Sequence, residues 1–376
     1  MRKTVLFWHH TLLNKSTGSS EKLLRDLAKS LYNSNRFNVI LVASATEDPV
    51  SLSHDNLTTV ILTPHEHDDR ALLVELSKKI EKLSPDLVIG LVWKWRQAWI
   101  RAVPKKFKLL LISPFGNYDS NGNVHNVYVS GARNLSKLRR LGVSSSELFY
   151  NPLRIPDYSL QKFNRHRQFK IRSIVCGRTG RSDPSIFDPI SILAFAAVQE
   201  VYRQGIVFLY ANPCDAAREL ADSKKIRNIK FLDWLCESEL ENFYNEMDIF
   251  LHARRDGETV GISIAEALIA QNVVVSHRST VANEHLRLLK EPFGLFSAAG
   301  RTDVYATAIH KFCNSRQSLG DYGRLARETA RPLFDRRIVI DRFLQNVSDI
   351  IDGKSVANPW TSRLLSRSLA SVGILR

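Results

Sequence analysis

No apolar run in the 376 residues approaches the roughly 18–20 needed to span a bilayer; Leu109–Ile112 is the middle of a strand-sized stretch. Cysteine is scarce. Cys176, Cys214, Cys236 and Cys313 form no C-x-x-C pair and do not cluster with histidine, which argues against a disulfide scaffold and a zinc knuckle and fits a reducing compartment. The start, Met1-Arg2-Lys3-Thr4-Val5-Leu6-Phe7, lacks the long apolar region and small-residue cleavage site of a secretory signal. It reads as a first β-strand, so a cytoplasmic location is expected. No G-x-G-x-x-G follows the first strand of either half, which disfavours a dinucleotide-dependent oxidoreductase. Acidic residues are also in deficit, 38 against 53 Lys and Arg, for a net charge of +15.

That charge is unevenly spread. Residues 1–168 hold 25 basic and 14 acidic residues, residues 169–353 hold 24 of each, and the last 23 add four basic and no acidic ones. Within the first half, 101–168 carries 12 basic against 3 acidic residues, Lys105, Lys106, Lys108, Arg139, Arg140, Arg165 and Arg167 among them. A basic face suits nucleic acid, anionic membrane or an anionic substrate, and charge alone does not choose. Aromatics interleaved with cations occur only at Trp93-Lys94-Trp95-Arg96, too short a stretch for a nucleic-acid interface, and no nucleic-acid partner is expected.

Strand-like runs alternate with helical patterns almost throughout, the mark of parallel α/β sheets. The first series runs through Thr4–Phe7, the amphipathic Glu21–Leu31, Asn38–Val42, a helix near Arg70–Leu83, Leu87–Leu91, Lys108–Ile112, Val127–Val129 and a helix at Arg133–Leu141. The polar stretch Arg154–Gln168 reads as a linker. A second series continues through Arg172–Val175, Ile190–Val201, Ile206–Leu209, Asn228–Phe231, Leu240–Glu246, Ile249–Leu251, Ile262–Ala270 and Val273–Val275. The expected division is 1–160, 161–353, with a late helix that can cross back to the first domain, and a basic tail at 354–376. In doubly wound sheets, ligands bind beyond the carboxyl ends of the strands.

The most informative segment is Asp256-Gly257-Glu258-Thr259-Val260-Gly261-Ile262-Ser263-Ile264-Ala265-Glu266-Ala267-Leu268. A strand leads through a polar loop into a helix opening near Gly261 or Ile262. The free N–H groups there, with the helix dipole, make a phosphate site. Gly261 lets a ligand approach the backbone closely. Glu258 and Glu266 are eight residues apart, roughly 12 Å if all helical, which is the span of a sugar, a diphosphate and a ribose. Spacing alone favours the plainer reading, with Glu258 complementing the helix N-terminus and Glu266 a surface helix residue.

This segment resembles the Glu-x7-Glu motif of retaining GT-B glycosyltransferases, especially glycosyltransferase family 4. Glu258, Gly261, Glu266-Ala267-Leu268-Ile269-Ala270 and Val273-Val274-Val275 carry the likeness, and Glu284 resembles a further family position. Neighbours in family order extend it over nearly the whole chain. They are Gly18-Ser19-Ser20-Glu21, Tyr128-Val129-Ser130, Leu138–Val143, Tyr150-Asn151-Pro152, Val175-Cys176-Gly177-Arg178, Lys230 leading to Asp233-Trp234-Leu235, Gly294-Leu295-Phe296 and Ala330–Phe334.

The resemblance implies a GT-B fold, two doubly wound Rossmann-like domains facing each other across a cleft, with acceptor binding in the first and nucleotide-sugar binding in the second. It implies transfer of a hexose with retention, without a metal or other cofactor. GDP-mannose is the favoured donor and UDP-glucose the next. The acceptor would be a glycan, glycoprotein or lipid-linked molecule, with peripheral contact at an anionic membrane consistent with the basic half. Glu258, Arg178 and Arg181 would act at the reacting centre. Gly18, Ser19, Gly177, Asp233, Trp234, Leu235, Gly261, Ile262, Ser263 and Glu266 would hold the donor.

Three departures stand out. Asp183 and Pro184 occupy the place of the usual phosphate-binding Lys, leaving Arg181 as the nearest extra cation. The Gly-Gly of the first loop is reduced to Gly18-Ser19. No family histidine is evident at Ser113-Pro114-Phe115-Gly116-Asn117, where His125 is the nearest candidate and His9-His10 suit a surface or substrate contact. A catalytically silent nucleotide-sugar binder and a basic nucleic-acid-binding protein are the rival readings.

Overall fold

The computed structural model describes residues 2–9, 12, 19–44, 58–62, 69–91, 98–113, 124–129, 173–202, 205–258 and 260–354. Gly18, His10, Trp93–Arg96, Pro114–Asn117, the helix expected at 133–141, the linker at 154–168 and the tail from 355 lie outside them. So do the side chains of Ser19 and His125.

The chain divides into two compact units, Met1–Pro152 with Arg336–Arg376, and Leu153–Asp335. The sequence placed these limits at 160 and 353. In the first unit, six strands form one parallel sheet: β1 (Lys3–Trp8), β2 (Phe37–Ser44), β3 (Thr58–Leu62), β4 (Leu87–Leu91), β5 (Lys108–Ser113) and β6 (Val124–Val129). Their spatial order is β3-β2-β1-β4-β5-β6. Val5, Leu6, Phe7 and all of β4 are buried, as expected of strands covered on both faces by crossover helices.

Helix α1 (Ser19–Asn33) buries Leu24, Leu27, Ala28 and Leu31, a single stripe at helical spacing. Helices α2 (Asp69–Leu83) and α3 (Ala98–Ala102) complete the core, where Leu76, Ile80, Trp99 and Ile100 pack on Leu6, Val88, Leu109 and Leu111. Gly90 has no side chain because one would run into the Trp99 ring.

The second unit repeats the plan with β7 (Ile174–Arg178), β8 (Ile206–Ala211), β9 (Ile229–Leu232), β10 (Ile249–Leu251), β12 (Val273–His277) and β14 (Gly294–Ser297). The order β14-β12-β10-β7-β8-β9 is, counted from its own first strand, the same as in the first sheet. Two short strands, β11 (Gly257–Glu258) and β13 (Ala282–Asn283), pair separately in parallel. Helices α4 (Ile190–Tyr202), α5 (Asp215–Ser223), α6 (Glu237–Glu246), α7 (Ile262–Ile269), α8 (Thr302–Asn314) and α9 (Leu319–Phe334) cover this sheet.

The last helix among the described residues, α10 (Arg336–Asp352), belongs to the first unit. Lys108 Nζ donates to the carbonyls of Ile350 and Ile351 at 3.0 and 2.5 Å, satisfying orphan acceptors at the helix end and opposing its dipole. Arg36 Nη2 donates to Ser348 Oγ at 2.8 Å on the same helix.

Candidate functional site

In the second sheet, strand order reverses between β7 and β10, because β8 and β9 lie on one side of this pair and β12 and β14 on the other. A crevice opens beyond the carboxyl ends of strands at such a point. Here Arg178 ends β7, and His252-Ala253-Arg254 follow β10 directly. One cavity is lined by Arg178, Arg181, His252, Arg254, Glu258 and Ser263, together with the 179–187 loop and Tyr210. The structure thus brings together Arg178, Arg181, Arg254 and Glu258 with His252, and with Ser263 of the first turn of α7.

That first turn has the expected form. Gly261 caps it in the left-handed region (φ 81°), and Ala265 N–H donates to the Gly261 carbonyl at 2.9 Å. The amides of Ile262, Ser263 and Ile264 therefore precede the first intrahelical donor, the Ala265 N–H, and are available to an anion.

Glu258 reaches the cavity from β11. Its Oε1 accepts from Arg254 Nη1 at 3.2 Å and lies 4.0 Å from His252 Nε2. Its Oε2 makes no hydrogen bond among the described residues. Burial pushes the Glu258 carboxyl upward, but His252, Arg254 and His285 outweigh it and hold the group below the usual carboxylate range. Glu258 is accordingly a carboxylate with one oxygen held by the protein and the other presented.

Arg178 is buried and already has protein acceptors. Its Nη1 donates to the Asp188 carbonyl at 3.1 Å and to Ser191 Oγ at 2.9 Å, and its Nη2 donates to the Ala253 carbonyl. The guanidinium lies 4.8 Å over the Tyr210 ring and 5.6 Å from that of Phe187. These contacts fix the cation at the cavity wall. Arg181 is exposed and lines the same wall, three residues further along the loop.

Glu266, on α7, accepts from Tyr244 Oη at 2.8 Å, and Tyr244 comes from α6. A carboxylate held this way is positioned rather than free to swing. Calorimetric titration of nucleotide sugars into Glu266→Ala is expected to show binding weakened about tenfold or more, the cost of losing a charge-assisted hydrogen bond. Equal binding by this variant would remove Glu266 from the site.

Other expected donor residues lie apart from the cavity lining. Asp233 and Trp234 follow β9 on the surface, the indole 72% exposed, with Asp233 3.8 Å from Arg218. Leu235 continues that loop. Gly177 is buried within β7, where a Cβ would sit 2.7 Å from Met247 Sδ, so close packing accounts for it. His9 is buried at the end of β1 rather than on the surface, and its N–H donates to the Val42 carbonyl at 3.3 Å.

Sequence reasoning missed Arg254 and three buried histidines, His252, His277 and His285. Arg254 forms ion pairs with Asp256 as well as Glu258. His277 Nε2 accepts the Arg254 N–H at 3.1 Å, and its Nδ1 lies 2.9 Å from the Arg278 carbonyl, which assigns the proton to Nδ1. His285 meets the Glu258 N–H through Nδ1 at 3.3 Å and the His277 carbonyl through Nε2 at 3.4 Å. Burial, reinforced by His252, lowers the His285 pKa to about 3. It is a neutral brace behind the Glu258 loop. Among the described residues, no three His, Cys, Asp or Glu side chains converge as metal ligands.

Two parallel Rossmann-like sheets, with a helix opening beside an ion-paired carboxylate at a strand-order reversal, place the chain among α/β proteins with a ligand site of the phosphate-binding type. Residues 174–315 match the family model of "Glycosyl transferases group 1". HepE from Anabaena, solved with UDP, is similar over 93% of this chain and 100% of its own, with 16% identity and a TM-score of 0.68. A glycosyltransferase from Rickettsia africae matches at 14% identity and TM-score 0.67 over 94% and 100% of the two chains. The apo lipopolysaccharide outer core galactosyltransferase WaaB matches at 12% and 0.67, over 94% and 99%. No curated protein sequence matches significantly. The whole chain shares the GT-B fold of these glycosyltransferases, and its residues 174–315 carry the group 1 glycosyltransferase match. Among the described residues, no helix is long and apolar enough to cross a membrane.

Proposed function

We propose that this protein is a glycosyltransferase that moves a hexose from a nucleoside diphosphate sugar to an acceptor hydroxyl with retention of configuration. The observation that carries the reading is the convergence of Glu258, Arg178, Arg181 and the first turn of α7 on one cavity at the strand-order reversal. Diphosphate would lie against the Ile262–Ile264 amides and the two arginines. Glu258 Oε2 would hold sugar hydroxyls and Glu266 the ribose.

In the transfer, the bond from the anomeric carbon to the β-phosphate oxygen breaks while the acceptor oxygen bonds to the same face of that carbon. The acceptor proton passes to the departing phosphate. The protein's contribution is to position the partners and neutralise the leaving charge. HepE has been solved with UDP-glucose, which makes a UDP-sugar the first donor to test and GDP-mannose the second. The basic first half, through residue 168, supports an anionic glycan, a glycoprotein or a lipid-linked acceptor at an anionic membrane.

Arg178 already donates to three protein acceptors, an arrangement that also suits a binder without turnover. Release of nucleoside diphosphate from a nucleotide sugar separates the two readings: binding without release supports the silent form. Turnover is expected to persist in EDTA, since arginines and amides carry the diphosphate. A complete loss restored by added divalent metal would overturn the metal-independent mechanism.

A further inference from the structure

His252 has no part in the motif that marks the donor site, yet it is among the most firmly held side chains beside it. Its N–H donates to the Val275 carbonyl at 2.8 Å, and its own carbonyl accepts from the buried Tyr305 hydroxyl at 3.0 Å. Its ring Nδ1 lies 2.8 Å from Ser276 Oγ, and both residues are buried. What remains is Nε2. That atom is buried, has no hydrogen-bond partner among the described residues, and lies 4.0 Å from Glu258 Oε1.

A lone pair turned toward a carboxylate would be repelled, so the favoured tautomer carries its proton on Nε2. The Ser276 hydroxyl then donates to Nδ1. An unsatisfied buried donor is costly unless a partner comes within reach. A displacement of the Glu258 side chain by about an ångström would close the gap to ordinary hydrogen-bond length.

We infer that His252 is a positioning residue for Glu258, with Ser276, His252 and Arg254 fixing Oε1 so that Oε2 is aimed at the donor sugar. This rests on the donor-site reading above. The charged and titratable groups around the imidazole agree with it. From the β11 loop come Glu258 and Arg254, from the end of β7 Arg178, from β12 His277, and from the turn after β13 His285, 4.9 Å away between ring centroids. Burial lowers His277 and His285, so both stay neutral while His252 faces the carboxylate.

The test compares the affinity ratio of UDP-glucose to UDP, and of GDP-mannose to GDP, by calorimetry in the wild type, His252→Asn and His252→Gln. Asparagine can keep the bond to Ser276 but cannot reach Glu258; glutamine places its amide near the position of Nε2. His252→Asn is expected to lose about tenfold in the sugar-dependent ratio with little change for the free diphosphate. His252→Gln is expected to restore most of it. The pH below which the sugar increment disappears should also rise by about one unit in His252→Asn, because Glu258 loses support for its charge.

Equal loss for sugar and free diphosphate, or better retention by asparagine than by glutamine, would make His252 merely structural and overturn the assignment. If His252→Asn does not fold, Ser276→Ala, which releases the tautomer, must reduce the same ratio; an unchanged ratio there overturns it too. Failure of the wild type to bind any of these four nucleotides would overturn the donor-site reading, and this assignment with it. Normal binding with an unchanged ratio in the variants would overturn this assignment alone.

Discussion

Gly257→Ala is expected to destabilise the second unit by about 3 kcal/mol or more, at the upper end of single substitutions, and to abolish donor binding. Gly257 has φ 67°, and a Cβ there would lie 1.8 Å from the Ala282 carbonyl oxygen and 2.7 Å from Ser279 Cβ. The first obstacle is backbone, so no side-chain rotation can relieve it. The pairing of β11 with β13 must open, and with it the segment that carries Glu258. Gly300→Ala is the internal control. It has φ 70° with nothing within 4 Å of a new Cβ, so only the left-handed backbone penalty of about 1 kcal/mol applies. Thermal unfolding of the two variants separates conformational strain from collision. Similar melting temperatures for both would show that the β11–β13 contact is not maintained.

Glu258→Gln is expected to lower transfer by about a hundred- to a thousandfold, in the range found for removing one group that stabilises a reacting centre. Binding of the free nucleoside diphosphate should change little, because the amides of α7 and the two arginines are untouched. The pH dependence follows from the lowered pKa of Glu258. Its ionised form stabilises the fold above the ordinary carboxyl value of 4.5, and that contribution is lost as the pH falls through the lower folded value. Wild-type transfer should therefore hold to a pH below 4.5 before this group limits it. An acid limb at the same pH in Glu258→Gln would assign the limb to another residue.

The sequence made the strands legible where burial on both faces gives a continuous apolar run. Leu87–Leu91 and Ile249–Leu251 have the expected limits. β3, Thr58–Leu62, was not foreseen: it is an edge strand whose residues are mostly exposed, so its apolar signal is weak. β11 and β13 are two residues each and arise from loop-to-loop pairing that leaves no periodicity. The opening of α7 was visible because glycine and the change of period fall together.

Arg254 and His252 were visible in principle, since they directly follow a recognisable strand, where α/β ligands gather. His285 was not. It meets Glu258 only because the segment after β12 folds back over the 254–261 loop, with Ser279 Oγ donating to the Arg255 carbonyl at 2.8 Å and Ala282 N–H to that of Asp256 at 3.1 Å. Such contacts depend on tertiary closure, and nothing local in the sequence encodes them.

The return of α10 to the first unit bears on how the chain is made. Residues 336–352 leave the ribosome after the entire second unit, yet α10 packs on α1 and β4 and supplies the acceptors for Lys108. The second unit is continuous in sequence and can complete its folding during synthesis. The first must wait with the surface around α1 and β4 incompletely covered until α10 arrives. Long-range closure of this kind is slow relative to local contacts. During that interval the apolar surface that α10 will cover is open to chaperones, and to misassembly with other nascent chains.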